Sequence, residues 1–415
     1  MNRSDFEIMA PVGSPESLAA ALNAGADAIY FGIEGLNMRS RSSSNFSIDN
    51  LREIAALCNT KNVKTYLTVN TIIYDNDIDY MHSIVNAAKE SGITAIIASD
   101  ISTILYARSL GVEVHISTQV NISNIEAVRF YSQFADVMVL ARELNLDQVK
   151  KIHDTIIAEK IKGPKGELIR LEMFCHGALC MAVSGKCYLS LHEMNSSANR
   201  GACNQICRRS YRLTDMETQD ELVVENKYLM SPKDLKTIHF LDKMVEAGVS
   251  VFKIEGRARG PEYVAETVRC YSEALEAICN GDYNDEKLKD WDDSLGKVFN
   301  RGFWDGYYLG QRLGEWSKKY GSSATRTKFY IAKATRYFSK LGVGEFRMES
   351  GELHPGDEVI ITGPTTGALI FNVEELRLEL DPVPEVKKGQ LFSMPVPAKI
   401  RPSDRLYIWK NTPCQ

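Results

Sequence analysis

"FEIMAPVGSPESLAAALNAGADAIYFGI", residues 6–33, decides the fold. The run FEIMAPVG at 6–13 is short and apolar, as a buried strand requires, and DAIYFGI at 27–33 repeats that texture. Between them, Ser14 and Pro15 start an amphipathic helix that Gly25 stops. A strand–helix–strand succession fits parallel strands, whose crossover is usually a helix. The same alternation then recurs along the chain. Further strand candidates are VKTYLTVN at 63–70, TAIIAS at 94–99, VEVHIST at 112–118, DVMVLA at 136–141, IRLEMF at 169–174 and VSVFKIEG at 249–256. Helical patterns lie between them, including IDYMHSIVNAAKESG, NLDQVKKIHDTIIAEK and SPKDLKTIHFLDKMVEAG, and GPEYVAETVRCYSEALEAICNG supplies the last helix. Eight strands, each followed by a helix or long crossover, predict a (β/α)8 TIM-like barrel rather than an open doubly wound sheet. No GxGxxG follows the first strand, which argues against dinucleotide binding. In such a barrel, residues just past the strand C-termini line the active site.

After about 325 the texture changes to short alternating strands between Gly and Pro turns, as in GELHPGDEVIITGP. That pattern predicts a small antiparallel β-barrel domain. The expected organisation is a barrel domain over 1–283 with a Cys-rich insertion at about 175–212, a helical linker over 284–325, and the small β-barrel over 326–415.

A chain of 415 residues, 44% hydrophobic and 25% charged, buries a large core. Its N-terminal MNRSDFEIMAPVGS lacks a signal-peptide pattern and no apolar run is long enough to span a membrane, so a cytoplasmic location is expected. The net charge of −5 gives no global attraction for nucleic acid. An RNA site must therefore be local, and RRSYR at 208–212 is the candidate, with Arg208 and Arg209 for phosphate and Tyr211 for base stacking.

Of nine cysteines, five fall within the 33 residues from Cys175 to Cys207. In a reducing compartment such a cluster suggests metal ligands or redox groups. Cys180, Cys187, Cys203 and Cys207 are spaced C-x6-C-x15-C-x3-C. Only the last pair has zinc-like spacing, and iron–sulfur clusters accept looser arrangements, so spacing favours a [4Fe–4S] cluster while leaving zinc open. Cys175 ends the seventh strand, either as a buried small residue or as a thiol at the barrel mouth. Cys58, Cys270, Cys279 and Cys414 are expected to have no catalytic role.

Other chemistry-bearing residues gather by position at the predicted rim. The fifth strand ends in His115, Ser117, Gln119 and Asn121, and the eighth carries Lys253, Glu255, Arg257 and Arg259, with Asn70 and Glu172 ending the third and seventh. Glu172, His115, Lys253 and Glu255 are the candidate catalytic groups, although Lys253 and Glu255 could equally be an inward ion pair and His115 a core histidine. Asn70, Gln119, Asn121, Arg257 and Arg259 are candidate substrate contacts. Arg257 suits a carboxylate or phosphate because its planar fork binds either bidentately. There is no HExxH and no GxSxG, and Cys175 and His176, as neighbours on a strand, point to opposite faces.

The run from Glu172 through Phe174, Gly177, Ala178, Leu179, Cys180, Ala182, Ser184, Gly185 and Cys187 to Leu189 and Ser190 resembles the signature of the collagenase-like peptidase U32 family. NRGACNQICRRSY, FKIEGRARGPEYV and NRGFWDGYYLG match its other characteristic stretches, so the resemblance covers nearly the whole chain. Within that family the length and closing β-barrel are most similar to the tRNA hydroxylation protein P group. That resemblance implies conversion of a tRNA wobble uridine to 5-hydroxyuridine at the anticodon loop, prephenate as the oxygen donor, and an Fe–S cluster on Cys180, Cys187, Cys203 and Cys207. A U32 peptidase, and a non-catalytic Fe–S or zinc scaffold, remain alternatives. The oligomeric state stays open, a homodimer included.

Overall fold

The structure is a computed structural model describing residues 1–41, 46–219, 221–222, 230–311, 313–318 and 321–412; Cys414 lies outside them. The quoted stretch folds as read. Strand β1 (Glu7–Pro11) leads into the helix Pro15–Asn23, where Ser14 Oγ accepts the Ser17 amide at 3.2 Å and Pro15 opens the first turn, and then into β2 (Ala28–Phe31). The remaining parallel strands are β3 (Lys64–Val69), β4 (Ala95–Ala98), β5 (Glu113–Ile116), β6 (Val137–Val139), β7 (Arg170–Ala178) and β8 (Val249–Ile254). Each pairs with the next in parallel, and β8 pairs with both β7 and β1, which closes the eight-stranded barrel.

Two apolar layers hold it together. Met9, Ala28, Tyr30, Tyr66, Ala95, Ile97, Val137 and Val251 fill the inside, and a larger cluster lies between the strands and the surrounding helices. The lower interior is polar as well. Glu7 Oε2 meets Lys64 Nζ at 2.7 Å and Arg170 Nη1 at 3.3 Å, and Tyr66 donates to Glu7 Oε1 at 2.6 Å.

One local expectation fails. SPKDLKTIHFLDKMVEAG reads as one helix but folds as a strand (Asp234–Lys236), a 3-10 turn (Ile238–Phe240) and a short helix (Leu241–Glu246). Strand β7 runs on past the barrel, and Asp234, Leu235 and Lys236 pair antiparallel with Ala178, Gly177 and His176. Ladder pairing outweighs the helical periodicity there. Phe303–Trp304 extends this outgrowth. The segment expected as a linker is thus packed on the barrel: it carries the helix Asp285–Lys297, and Tyr308 donates its hydroxyl to the Phe174 carbonyl at 2.9 Å.

Residues Arg326–Asn411 form a separate antiparallel sheet with its own core, including Phe346, Val359, Ile361, Phe392 and Leu406. Its hairpin Glu358–Gly363/Gly367–Asn372 abuts the first helix of the barrel. Gly367 sits at φ +75°, and a Cβ there would come within 2.6 Å of the Ala20 amide nitrogen, so the alanine-rich helix face is matched by a glycine. Among the described residues no helix is long and apolar enough to cross a membrane.

Candidate active site at the barrel mouth

The outgrowth of β7 positions the Cys-rich insertion over the C-terminal ends of the strands. The insertion is docked onto the loops after β2 and β3. Arg200 pairs with Asp77 at 2.6 Å and lies 4.1 Å over the Tyr74 ring, and the Ile72 amide donates to the Asn199 carbonyl at 3.2 Å. Gly201, at φ +80°, has no room for a side chain: a Cβ would lie 2.3 Å from the Asn37 carbonyl oxygen. Arg208 ties the insertion's end back to its start, donating to the Leu179 carbonyl at 2.7 Å.

Beneath the insertion lies a cavity of about 200 Å³. Cys180, Cys187, Cys203 and Cys207 all border it, together with Asn70, Gln119, Lys253, Glu255, Arg257 and Arg259. All four thiols are free. Burial pushes the Cys207 thiol up to about 11; Arg208 opposes the rise and the other three cysteines add to it, so the four sulfurs feel one another. Among the described residues no three of them lie mutually within 4.8 Å. Zinc–sulfur bonds of about 2.3 Å would hold tetrahedral sulfurs roughly 3.8 Å apart. The thiols are not gathered at that spacing here, and a four-thiol donor set suits either a zinc ion or an iron–sulfur cluster.

The floor is strongly cationic. Lys253 Nζ pairs with Glu172 Oε1 at 2.7 Å, Glu172 being fully buried, and faces the Tyr30 ring at 4.6 Å. Glu255 instead pairs with Arg39 at 2.8 Å, so Lys253 and Glu255 are not each other's partner. The reason is register: Lys253 is within β8 and reaches across to β7, whereas Glu255 lies past the strand end. Burial alone would raise the Glu255 carboxyl, but Arg39, Arg142 and Arg257 together hold it at about 2. Arg257, only 6% exposed, donates from Nη1 to Thr68 Oγ1 at 2.9 Å and Asn37 Oδ1 at 3.1 Å, and its Nε has no hydrogen-bond partner among the described residues. Burial lowers it to about 10. Gly13 lets its backbone in, since a Cβ there would meet the Arg257 carbonyl at 1.9 Å. Two residues beyond Thr68, Asn70 donates to Ser117 Oγ and to Gln119 Oε1, both at 3.1 Å.

Several expected residues lie elsewhere. His115 does not border the mouth: it is buried in the lower interior, 3.2 Å from Glu113 and with its ring 4.5 Å from that of Tyr66. Its Cβ direction sends it into the barrel rather than to the rim. Asn121 takes a left-handed conformation, φ 63°, where it closes a 3-10 turn. Tyr211 donates its hydroxyl to the Ile206 carbonyl at 2.6 Å and stands outside the cavity lining, as does Arg209. Cys175 is fully buried and burial holds its thiol well above the ordinary range, while His176 is buried against Tyr271 and pushed down to about 3. They form no nucleophile–base pair. Sequence reasoning missed Tyr30, Arg39, Arg142 and Arg301, all bordering the mouth. Arg142 had a signal, standing just after the sixth strand; Arg39 and Arg301 come from loops with none.

A family-level sequence profile described as Peptidase family U32 matches residues 13–318. The chain is 66% identical over 407 residues to "Collagenase" of Porphyromonas gingivalis, covering 98% of each. It is 36% identical over 412 residues to an uncharacterized protease of Methanocaldococcus jannaschii, again 98% of each, and 33% identical over 326 residues to "tRNA hydroxylation protein P1" of Bacillus subtilis, covering 75% of this chain and 74% of that one. With three quarters of its length matched and its barrel closed around the matched motifs, the chain belongs to peptidase family U32.

Proposed function

We propose that the chain is an iron–sulfur-dependent enzyme that hydroxylates a pyrimidine in RNA, with the wobble uridine of tRNA as target and prephenate as oxygen donor. The observation that carries this reading is the set of four free cysteines lining a cationic barrel mouth. Cys180, Cys187, Cys203 and Cys207 would hold the cluster, which supplies redox chemistry when bound. The chain's own residues do the rest. Arg257, backed by Arg39 and Arg142, offers a clamp for a carboxylated donor, and Glu255, held ionised, keeps those cations oriented. Gln119, anchored through its Oε1 by Asn70, offers an amide NH2 suited to the edge of a base turned out of its stack. The insertion covers the cavity and restricts water.

A second reading, a peptidase, is favoured by the 66% identity to a protein named Collagenase. Against it, no histidine borders the mouth among the described residues, and neither Cys175 nor His176 is accessible. One preparation tests both. Anaerobically purified protein should be brown, absorb near 400 nm, carry iron and sulfide, and form 5-hydroxyuridine in tRNA supplied with prephenate, read by nucleoside mass spectrometry. A colourless protein that digests gelatin and leaves tRNA unchanged would establish the peptidase reading instead.

A further inference from the structure

The segment 203–209 separates the mouth from a second cavity of about 540 Å³. Among the described residues its lining includes Arg208, Arg209, Arg259 and Arg301 and no carboxylate. Arg259 and Arg301 share one aromatic ring, their guanidinium carbons 3.6 Å and 5.0 Å from the Phe299 centroid. The acid at hand is Asp234, buried behind the lining and already paired with Arg301 at 3.3 Å. Among the described residues Arg208 donates there to neutral acceptors, the Pro232 carbonyl at 3.2 Å and Ser231 Oγ at 3.3 Å. Arg208, Arg259 and Arg301 are partly buried beside Asp234, with Glu255 also acting on Arg259, so positive charge exceeds negative here and an anion would improve the balance. Burial and Arg301 both press Arg259 below its ordinary value, as expected of a site built for a missing negative charge.

We infer that this second cavity is a phosphate subsite, and that the phosphate is a backbone group of the RNA whose target base enters the mouth. The source rests on the RNA reading above. Several planar forks converging with the Ser231 hydroxyl suit the oxygens of a phosphate. The two cavities share Cys203, Gln205, Arg208, Arg259 and Arg301 in their walls, so a strand with its base in one lays its backbone over the other. In a chain of net charge −5 this is a local concentration of positive charge beside the proposed reaction site.

The test uses cluster-loaded protein and two variants, Arg209→Gln and Arg301→Gln. Binding of tRNA and of inorganic phosphate is titrated across a range of salt concentrations. Each variant should weaken tRNA binding about ten-fold and reduce the salt slope by roughly one. Unchanged tRNA affinity and slope in both overturns the proposal. Arg301→Gln leaves Asp234 without its partner and could unfold; Arg209 is exposed and bonds only weakly to the Met194 sulfur at 3.7 Å, so Arg209→Gln then decides. If wild-type protein neither binds nor modifies tRNA, yet inorganic phosphate binds it and not the variants, the subsite stands and its RNA source is overturned. Loss of binding to an acidic peptide, with phosphate and tRNA unaffected, overturns both.

Discussion

Replacing Lys253 with Met gives the sharpest test of how the barrel mouth is built. The Lys253 ammonium and the Glu172 carboxylate stand 2.7 Å apart, with side chains 6% and 0% exposed. Glu172 Oε2 has no hydrogen-bond partner among the described residues, and Lys253 is the cation paired with this carboxylate. Coulomb's law at 2.7 Å, with an effective dielectric constant of about 20, gives roughly 6 kcal/mol of attraction, much of which repays the desolvation of both ions. Methionine fills the space of the lysine stem but strands the carboxylate, and breaking a buried pair from one side costs about 3–5 kcal/mol. Replacing both partners, as in Lys253→Met with Glu172→Leu, removes the stranded charge and should recover most of that loss. The assay is urea denaturation of the single and double variants followed by far-UV circular dichroism. A Lys253→Met midpoint equal to wild type, or a double variant no more stable than the single one, would refute the argument that this pair is a mutually dependent buried unit.

The other predictions concern the cradle and the rim. Cys203→Ser should strip iron and sulfide from the purified protein while its circular dichroism stays that of the folded barrel, because the cysteines stand on an insertion outside the main core; full iron retention would remove Cys203 from the ligand set. Arg257→Lys should abolish most 5-hydroxyuridine formation with iron content unchanged, since an ammonium cannot bond Thr68 and Asn37 and still present a planar fork; near wild-type turnover would take Arg257 out of the site. Glu255 titrates at about 2 in the folded chain against an ordinary value of 4.5. A carboxyl lowered on folding stabilises the protein above its unfolded value, and that stability is lost as pH falls from about 5 towards 2. Arg39→Met should shift that acid loss to higher pH in unfolding curves recorded from pH 7 to pH 3, and superimposable curves would count against the pairing.

The local alternation of apolar strands and capped helices is enough to specify the barrel. Each unit is a short-range pattern of burial and periodicity, and Ser14, Pro15 and Gly25 mark one helix within a dozen residues. The four cysteines are likewise visible as a cluster, and so is the rim position of Asn70, Gln119, Lys253, Glu255 and Arg257, because strand ends can be counted. Their partners could not be read this way. Lys253 finds Glu172 rather than Glu255, His115 turns into the lower interior, and Asp234–Lys236 forsakes a helical pattern to pair with the overrun of β7. Arg39 and Arg301 reach the mouth from loops 262 residues apart in sequence, with no periodicity to announce them. Periodicity reports which face of an element is buried; it carries no information about which distant charge that face will meet, and that pairing is settled only when the barrel closes and the insertion docks over it.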